Sequence, residues 1–414
     1  MINVLASRRR LIDFKTLNDH EKKNLVILET IRRKAPIARA EIARLTDLNI
    51  VTVTSYVDQF LKKGLLKEVG VDISSGGRKP TLIDLNKTAN YAIGVGLNAV
   101  SILGVLCNLK GDVVHRTEVP RPMISGDRLL DEMMNVVQTL IQDSRIAQDA
   151  MHGIGIGFPG IINRESNTAR WPMGLGNRDL QFSLSVNEKF QKRFELPVLL
   201  DNDANAAVFG EQWQSPLSEL QNVIYLYSGA GCGFLVDGQI YRGNSGSAGE
   251  WLFDLEHEHP EEWVEQAISS GEWAIDLGIS RRARNEVNEH KNSLIFRNLQ
   301  NEHKGDVRNI DFKMVVNCAN SGDAFSASLI KDAGKQLGQK AALLVNLLNP
   351  GMIIVGGGLE IAGIPFLEAM TQEIKRRAIP EAVEKLKIVP SQLGDLGVAL
   401  GAAALVIQNY FVEG

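Results

Sequence analysis

The sequence predicts an α/β protein with a small helical segment in front of a larger body. Three observations predict it. Between residues 19 and 61 apolar residues recur at helical spacing in three short runs; from Tyr91 onward β-rich runs alternate with helix-length stretches; and the charge changes sign near residue 80. Residues 1–80 carry 16 Lys/Arg against 9 Asp/Glu, whereas the remainder carries 29 against 40. Such asymmetry implies that only the front end approaches a polyanion.

Length and composition bound the rest. At 414 residues, with 44% hydrophobic and 23% charged residues, the chain is too long for one compact core and ordinary for a soluble protein of two or three domains. The start, MINVLASRRRLIDF, has no apolar run of signal-peptide length, and no stretch reads as an uninterrupted membrane span, so a cytoplasmic protein with no membrane partner is expected. Cys107, Cys232 and Cys318 are odd in number and far apart, which suits three buried thiols and neither a disulfide framework nor a zinc knuckle.

In the front segment, Leu25, Ile27, Leu28 and Ile31 define a first helix that Pro36 stops. A second short helix, ARAEIARLT, has Ala40, Ile42 and Ala43 available to pack inward and Arg39 and Arg44 able to face out. The link DLN leads to Asn49, a good N-cap, and to a third helix on which Val53, Tyr56, Val57, Phe60 and Leu61 share one face. Ile50, Thr52, Thr54 and Ser55 are then left exposed near its start, where a helix-turn-helix reaches base edges in the major groove. Two short strands, LLKEVG and PTLIDLN, flank the basic loop SSGGRKP, so the whole reads as a winged helix-turn-helix with Arg78 and Lys79 projecting toward phosphates or a narrow minor groove. The expected partner is operator DNA.

This segment resembles the DNA-binding domain of transcriptional regulators of the ROK family (repressors, open reading frames and kinases), in the pattern E-I-A-x-x-T-x-L-x-x-x-T-V-T from Glu41 to Thr54 and the exit SGGRKP. Ala38 stands where those regulators usually carry a capping Ser, and Ile50 and Ser55 stand where basic residues are common. Thr and Ile suit thymine methyl groups and phosphates better than guanine edges.

The body opens with YAIGVGL, SILGVLCNL and DVVHRTEV, followed by a helix-length stretch from Asp127 to Ile141 and the strand HGIGIGF. After these come YLYSGAGCGFLVDGQIYRG, a mostly helical middle, and the strand MIIVGGG with a helix behind it. Four segments resemble ROK sugar kinases: GIGIGFPGII (153–162), LPVLLDNDANAAVFGE (196–211), GAGCGFLVDGQIYRGNSGSAGE (229–250) and LNPGMIIVGGGL (348–359). The resemblance implies a two-lobed actin-like, ribonuclease-H-like sugar-kinase fold. The expected domains are a winged helix-turn-helix over 1–86, a first α/β lobe over 87–203 completed by a C-terminal helix within 391–414, and a second α/β lobe over 204–390 with the oligomer surface.

A carboxylate at a strand end beside an amide, as in Asn202-Asp203, can accept hydrogen bonds from two sugar hydroxyls and, in a kinase, could take the proton of the attacking hydroxyl. The resemblance makes Asp203 the would-be base and Glu250 and Glu265 further hydroxyl acceptors, so the expected effector site is Asn202, Asp203, Glu250 and Glu265. The kinase pattern is broken elsewhere. In GVGLNAVS, Gly96 replaces the carboxylate of an Asp-x-Gly-Gly-Thr turn, and Asn98, Ala99 and Val100 replace its glycines and hydroxyl. Phe253 replaces a zinc- and sugar-binding His, Trp263 the last Cys of the zinc loop, and Met173 a sugar-binding Asn. No zinc and no other cofactor are therefore expected. The sequence points to a repressor of carbohydrate-use genes that responds to a sugar or sugar derivative, without catalysis and acting as a homodimer or tetramer; a sugar kinase fused to a DNA-binding domain, and a regulator controlled by protein contact, are the alternatives.

Overall fold

The computed structural model describes residues 16–71, 80–97, 101–121, 127–163, 166, 168–170, 183–214, 221–227, 231–250 and 277–414. The chain divides into two compact units. The first holds the described residues up to Arg170, residues 183–214, and the end of the chain from Val398; the second holds the described residues from 221 to 397.

In the first unit, helix α1 (Asp19–Lys34) starts at a reciprocal cap, in which Asn18 Oδ1 accepts from the Glu21 N–H at 3.0 Å and the Glu21 carboxylate accepts from the Asn18 N–H at 2.8 Å. Strand β1 (Ile37–Ala38) leads into α2 (Arg39–Thr46), whose N-cap Ala38 makes no side-chain bond. Asp47 turns the chain through a left-handed conformation, φ 55°, and Asn49 caps α3 (Ile50–Lys62) by accepting from the Val51 N–H at 2.8 Å. Val53, Val57 and Phe60 are the buried stripe of α3. Strands β2 (Leu66–Val71) and β3 (Thr81–Leu85) pair antiparallel, and β3 also pairs with β1, giving the order β1-β3-β2.

The rest of this unit is built on a five-stranded sheet. Strands β4 (Tyr91–Leu97), β5 (Ser101–Asn108) and β6 (Val113–Pro120) form an antiparallel meander, helix α4 (Asp127–Ser144) crosses over, and β7 (Met151–Phe158) returns parallel to β4. A small sheet of β8 (Ile161–Asn163), β9 (Thr168–Arg170) and β10 (Ser183–Leu184) precedes α5 (Val186–Phe194), and β11 (Val198–Asn202) then adds parallel to β7. The order is β11-β7-β4-β5-β6.

The period-two alternation of β4 and β7 sends their side chains to opposite faces of this sheet. Ile93, Val95, Leu97, Ile154, Ile156 and Phe158 join the core with α4 and α5. The opposite face is glycine: Gly94 pairs with Gly155 and Gly96 with Gly157 across the two strands. On this flat patch lies the C-terminal helix, Gly397–Glu413, so close that a Cβ at Gly94 or Gly155 would overlap the backbone of Ala399 or Ala402. Helix α6 (Asp203–Gln214) presses on the same helix from another side, its Ala206 carbonyl occupying the place of a Cβ at Gly401. By length and composition the stretch Gly394–Glu413 could cross a membrane, but 72% of its apolar window is buried inside the protein, where it serves as core.

The second unit repeats the topology. Strands β12 (Val223–Tyr227), β13 (Gly231–Val236) and β14 (Gln239–Ile240) form the meander, and β15 (Met352–Gly356) and β16 (Lys387–Pro390) add in parallel, giving β14-β13-β12-β15-β16. Between β14 and β15 come α7 (Ile279–Glu286), α8 (Leu294–His303), α9 (Phe312–Asn320) and the 25-residue α10 (Ala324–Leu348). Helix α11 (Gly363–Arg377) packs on α10, whose Gly334 and Gly338 face backbone of α11; Cβ atoms there would stand 2.5 Å from the Phe366 carbonyl oxygen and 2.7 Å from that of Met370.

Filling the glycine patch tests this packing. Gly155→Ala is expected to lower the unfolding free energy by about 3 kcal/mol, because backbone rather than a flexible side chain must move. Urea unfolding measures it, and an unchanged midpoint would mean that the helix does not lie on the sheet.

Candidate effector site and nucleic-acid interface

Asn202 and Asp203 stand together where β11 ends and α6 begins. Their positions follow from parallel pairing, which sets Asn202 opposite Phe158 and beside the turn that leaves β7. The Asn202 amide donates to the Gly160 carbonyl at 3.1 Å. Its Oδ1 accepts from the N–H groups of Ala204 at 2.9 Å and Asn205 at 3.2 Å, so both lone pairs are engaged in capping α6. Asp203 is buried and accepts from the Ala204 N–H at 2.8 Å. Asp201, also buried, accepts from the Asn202 N–H at 2.9 Å and the Asn205 side chain at 3.3 Å. The pair thus combines a helix-capping amide that retains a donor with a carboxylate at the positive end of a helix.

Glu250 belongs to the second unit, at the end of the loop after β14. The Cys232 N–H donates to the Gly249 carbonyl at 2.8 Å, and Gly249, φ 97°, leaves no space for a side chain against the Cys232 backbone. Burial, and secondarily the Glu250 charge, push the Cys232 thiol well above its usual range. Cys107, in β5, is pushed up to about 12 by burial and then by Asp112. Glu265 lies outside the described residues, as do Met173, Phe253, Trp263 and residues 98–100. Among the described residues no group of three or more His, Cys, Asp or Glu is placed to hold a metal ion.

Two glycine features bear on phosphate chemistry. At Gly96 a Cβ would stand 2.9 Å from both the Ala399 backbone nitrogen and the Val398 Cβ, so any larger residue would have to displace the C-terminal helix. In the turn after β15, Gly357 and Gly358 have φ of 68° and 99°, and the ring of Tyr225 lies across Gly356. The Gly358 N–H donates to the Glu360 carboxylate at 2.8 Å. That carboxylate occupies a backbone donor which a bound anion would otherwise take.

In the front segment, Ile50 is 45% exposed, Ser55 is exposed, and Thr52 and Thr54 are half-buried. Arg39 has a different neighbourhood from the outward one expected. Its Nη2 lies 3.0 Å from Asp58 and 3.7 Å from Glu68, with the side chain 23% exposed, so it neutralises the one acidic residue of α3. Arg78 and Lys79 lie outside the described residues, between Val71 and Thr81, which are paired across β2 and β3. Val51, 74% exposed, stands next to Ile50 at the start of α3 and was not among the expected contact residues. The signal available was its position outside the 53–57–60 stripe.

The front segment is fastened to the rest of its unit at several points. Arg32 stacks over the Trp213 ring at 3.8 Å, donates to the Trp213 carbonyl at 3.1 Å, and is held by Glu29 at 2.7 Å. Asn24 donates to the Val412 carbonyl at 3.0 Å, and Lys63 donates to the Gly414 carbonyl. Asn86 and Asn90 donate to the Gly64 carbonyl, at 3.1 and 3.5 Å, while the Asn90 oxygen accepts from the Tyr410 hydroxyl at 3.2 Å and lies 2.6 Å from His152 Nε2.

Two units that each carry a meander-plus-two-parallel-strands sheet in one order define the class: actin-like, kinase-fold α/β proteins. Within that class the chain belongs to the ROK family, whose model matches residues 91–255 and 276–409. The chain is 31% identical over 392 residues to a xylose repressor of Caldicellulosiruptor bescii, covering 93% of this chain and 95% of that one. It is 28% identical to a glucokinase of Halalkalibacterium halodurans, covering 77% of this chain and 96% of that one. The crystal structure of a ROK family transcriptional regulator, a homologue of the E. coli Mlc protein, shares the fold with a TM-score of 0.74 at 21% identity, covering 95% and 99% of the two chains.

The double role of Asn202 gives a stability test. Asn202→Ala is expected to cost about 1 kcal/mol through the lost cap, whereas Asn202→Asp, which still accepts, should retain most of it. Equal losses in thermal or urea unfolding would place the stabilisation in the Gly160 tether instead.

Proposed function

We propose that the chain is a sequence-specific DNA-binding transcriptional regulator, a repressor of carbohydrate-use genes, whose kinase-fold body senses a sugar rather than phosphorylating one. The observation that carries this reading is coverage. The similarity to a named repressor extends over 93% of the chain, whereas that to a glucokinase extends over 77%. The front segment supports it: α2, the left-handed turn at Asp47, α3 and the β2–β3 pair have the order of a winged helix-turn-helix, and the basic residues Arg78 and Lys79 fall between β2 and β3 in the sequence. The close packing at Gly96 supports the non-catalytic part, because a metal-anchoring carboxylate has no room there while the C-terminal helix lies on the sheet.

In this reading Asp203 accepts sugar hydroxyls, with Glu250 and Glu265 as further acceptors and Asn202 reduced to a donor. Helix α6 begins with Asp203 and ends one residue beyond Trp213, on which Arg32 of the front segment stacks. A shift of α6 on sugar binding would therefore be felt directly by α1, changing the spacing of two winged helices in a homodimer relative to half-sites about one DNA turn apart. A sugar that prefers one state by about 3 kcal/mol would shift that equilibrium more than a hundredfold. The second reading, a sugar kinase fused to a DNA-binding domain, is favoured by Asp203 at the strand end.

Mobility-shift titrations separate the parts of the proposal. Asp203→Ala should leave operator affinity intact while abolishing the response to sugar, and intact induction would dismiss this pocket. Replacing Arg78 and Lys79 with Ala should weaken operator binding and flatten its salt dependence by about one to two units of slope. An unchanged slope would remove the wing from the interface.

A further inference from the structure

The start of α3 presents a pair of large aliphatic side chains to solvent, Val51 at 74% exposure and Ile50 at 45%. On a helix, residues four apart share a face, so Ile50 stands above Thr54 and Val51 above Ser55. The face is therefore aliphatic at its leading end and hydroxyl-bearing one turn further on. Two carboxylates nearby are paired: Asp58, the one acidic residue of α3, is held by Arg39 at 3.0 Å, and Glu41 of the preceding helix is held by Arg44. Val53, Val57 and Phe60 supply the packing of α3, so stability does not require an aliphatic residue at 51.

We infer that Val51, with Ile50 beside it, reads thymine methyl groups in the major groove, and that each half-site carries A·T pairs at the positions these residues meet. This rests on the proposal that the front segment binds an operator. The chemistry selects the partner. The C5-methyl of thymine is the one apolar group on the major-groove edge of a base pair, and a β-branched aliphatic residue without polar atoms can discriminate only by covering it. Cytosine and guanine edges would leave their donors and acceptors unpaired against Val51. The hydroxyls of Thr54 and Ser55 are then available for phosphates or neighbouring bases, and Arg39 is engaged with Asp58.

The test removes single methyl groups from the DNA. The full-length protein is titrated against a duplex containing its operator, and against a series in which each thymine in turn is replaced by deoxyuridine. At one or two thymines per half-site, loss of the methyl should weaken wild-type binding about fourfold, the equivalent of one buried methylene. Val51→Ala should bind the unmodified operator more weakly by a similar factor and lose its sensitivity at one of those thymines. Intact sequence-specific binding with no deoxyuridine effect would overturn the inference alone, as would a Val51→Ala variant whose sensitivity equals that of the wild type. Absence of any sequence-specific binding would overturn the operator proposal and this inference with it.

Discussion

The seating of the C-terminal helix on the glycine face of the first sheet is the constraint on which most of the first unit depends. Gly94, Gly96, Gly155 and Gly157 form a floor without side chains, and Val398, Ala399, Ala402 and Ala403 approach it at backbone distance. Such contact has no tolerance for added atoms. The helix then sets three other things. It leaves no space for a larger residue at position 96, it gives α6 a backing through Gly401, and its end provides the carbonyls of Val412 and Gly414 to which the front segment is bound.

The site residues inherit their roles from this arrangement. Asn202 caps α6 and tethers the Gly160 turn, and Asp203 stands buried beside it as the first residue of the helix. The same helix ends under Arg32, whose guanidinium combines a stacking contact, a hydrogen bond to the Trp213 carbonyl and a carboxylate partner. Planar stacking together with directed donation is a property of Arg that Lys would not supply. In the second unit the glycines after β15 serve tight backbone geometry, with Tyr225 packed on Gly356 and Glu360 accepting from the Gly358 N–H.

Much of this was legible in the sequence, because period and caps are local. The runs HGIGIGF, LLKEVG and PTLIDLN lie within or around β7, β2 and β3, and the stretch from Asp127 to Ile141 is the first fifteen residues of α4. Asn49 caps α3 as its position suggests, and the three cysteines are buried. Other features depend on partners distant in sequence. The glycines of β7 read as strand texture, and nothing local says that residues 398–403 rest on them. Arg39 reads as an outward basic residue until Asp58 and Glu68, nineteen and more positions away, are brought beside it. Val51 is one apolar residue among many until the packed stripe of α3 is known to exclude it.

The proposed function requires that the body bind a sugar without phosphorylating it. The direct measurement is a coupled assay with ATP and magnesium against a panel of pentoses and hexoses, run beside calorimetric titration of the same sugars. A sugar should bind, Asp203→Ala should abolish that binding, and no sugar phosphate should form. Turnover of any sugar, abolished by Asp203→Asn, would contradict it.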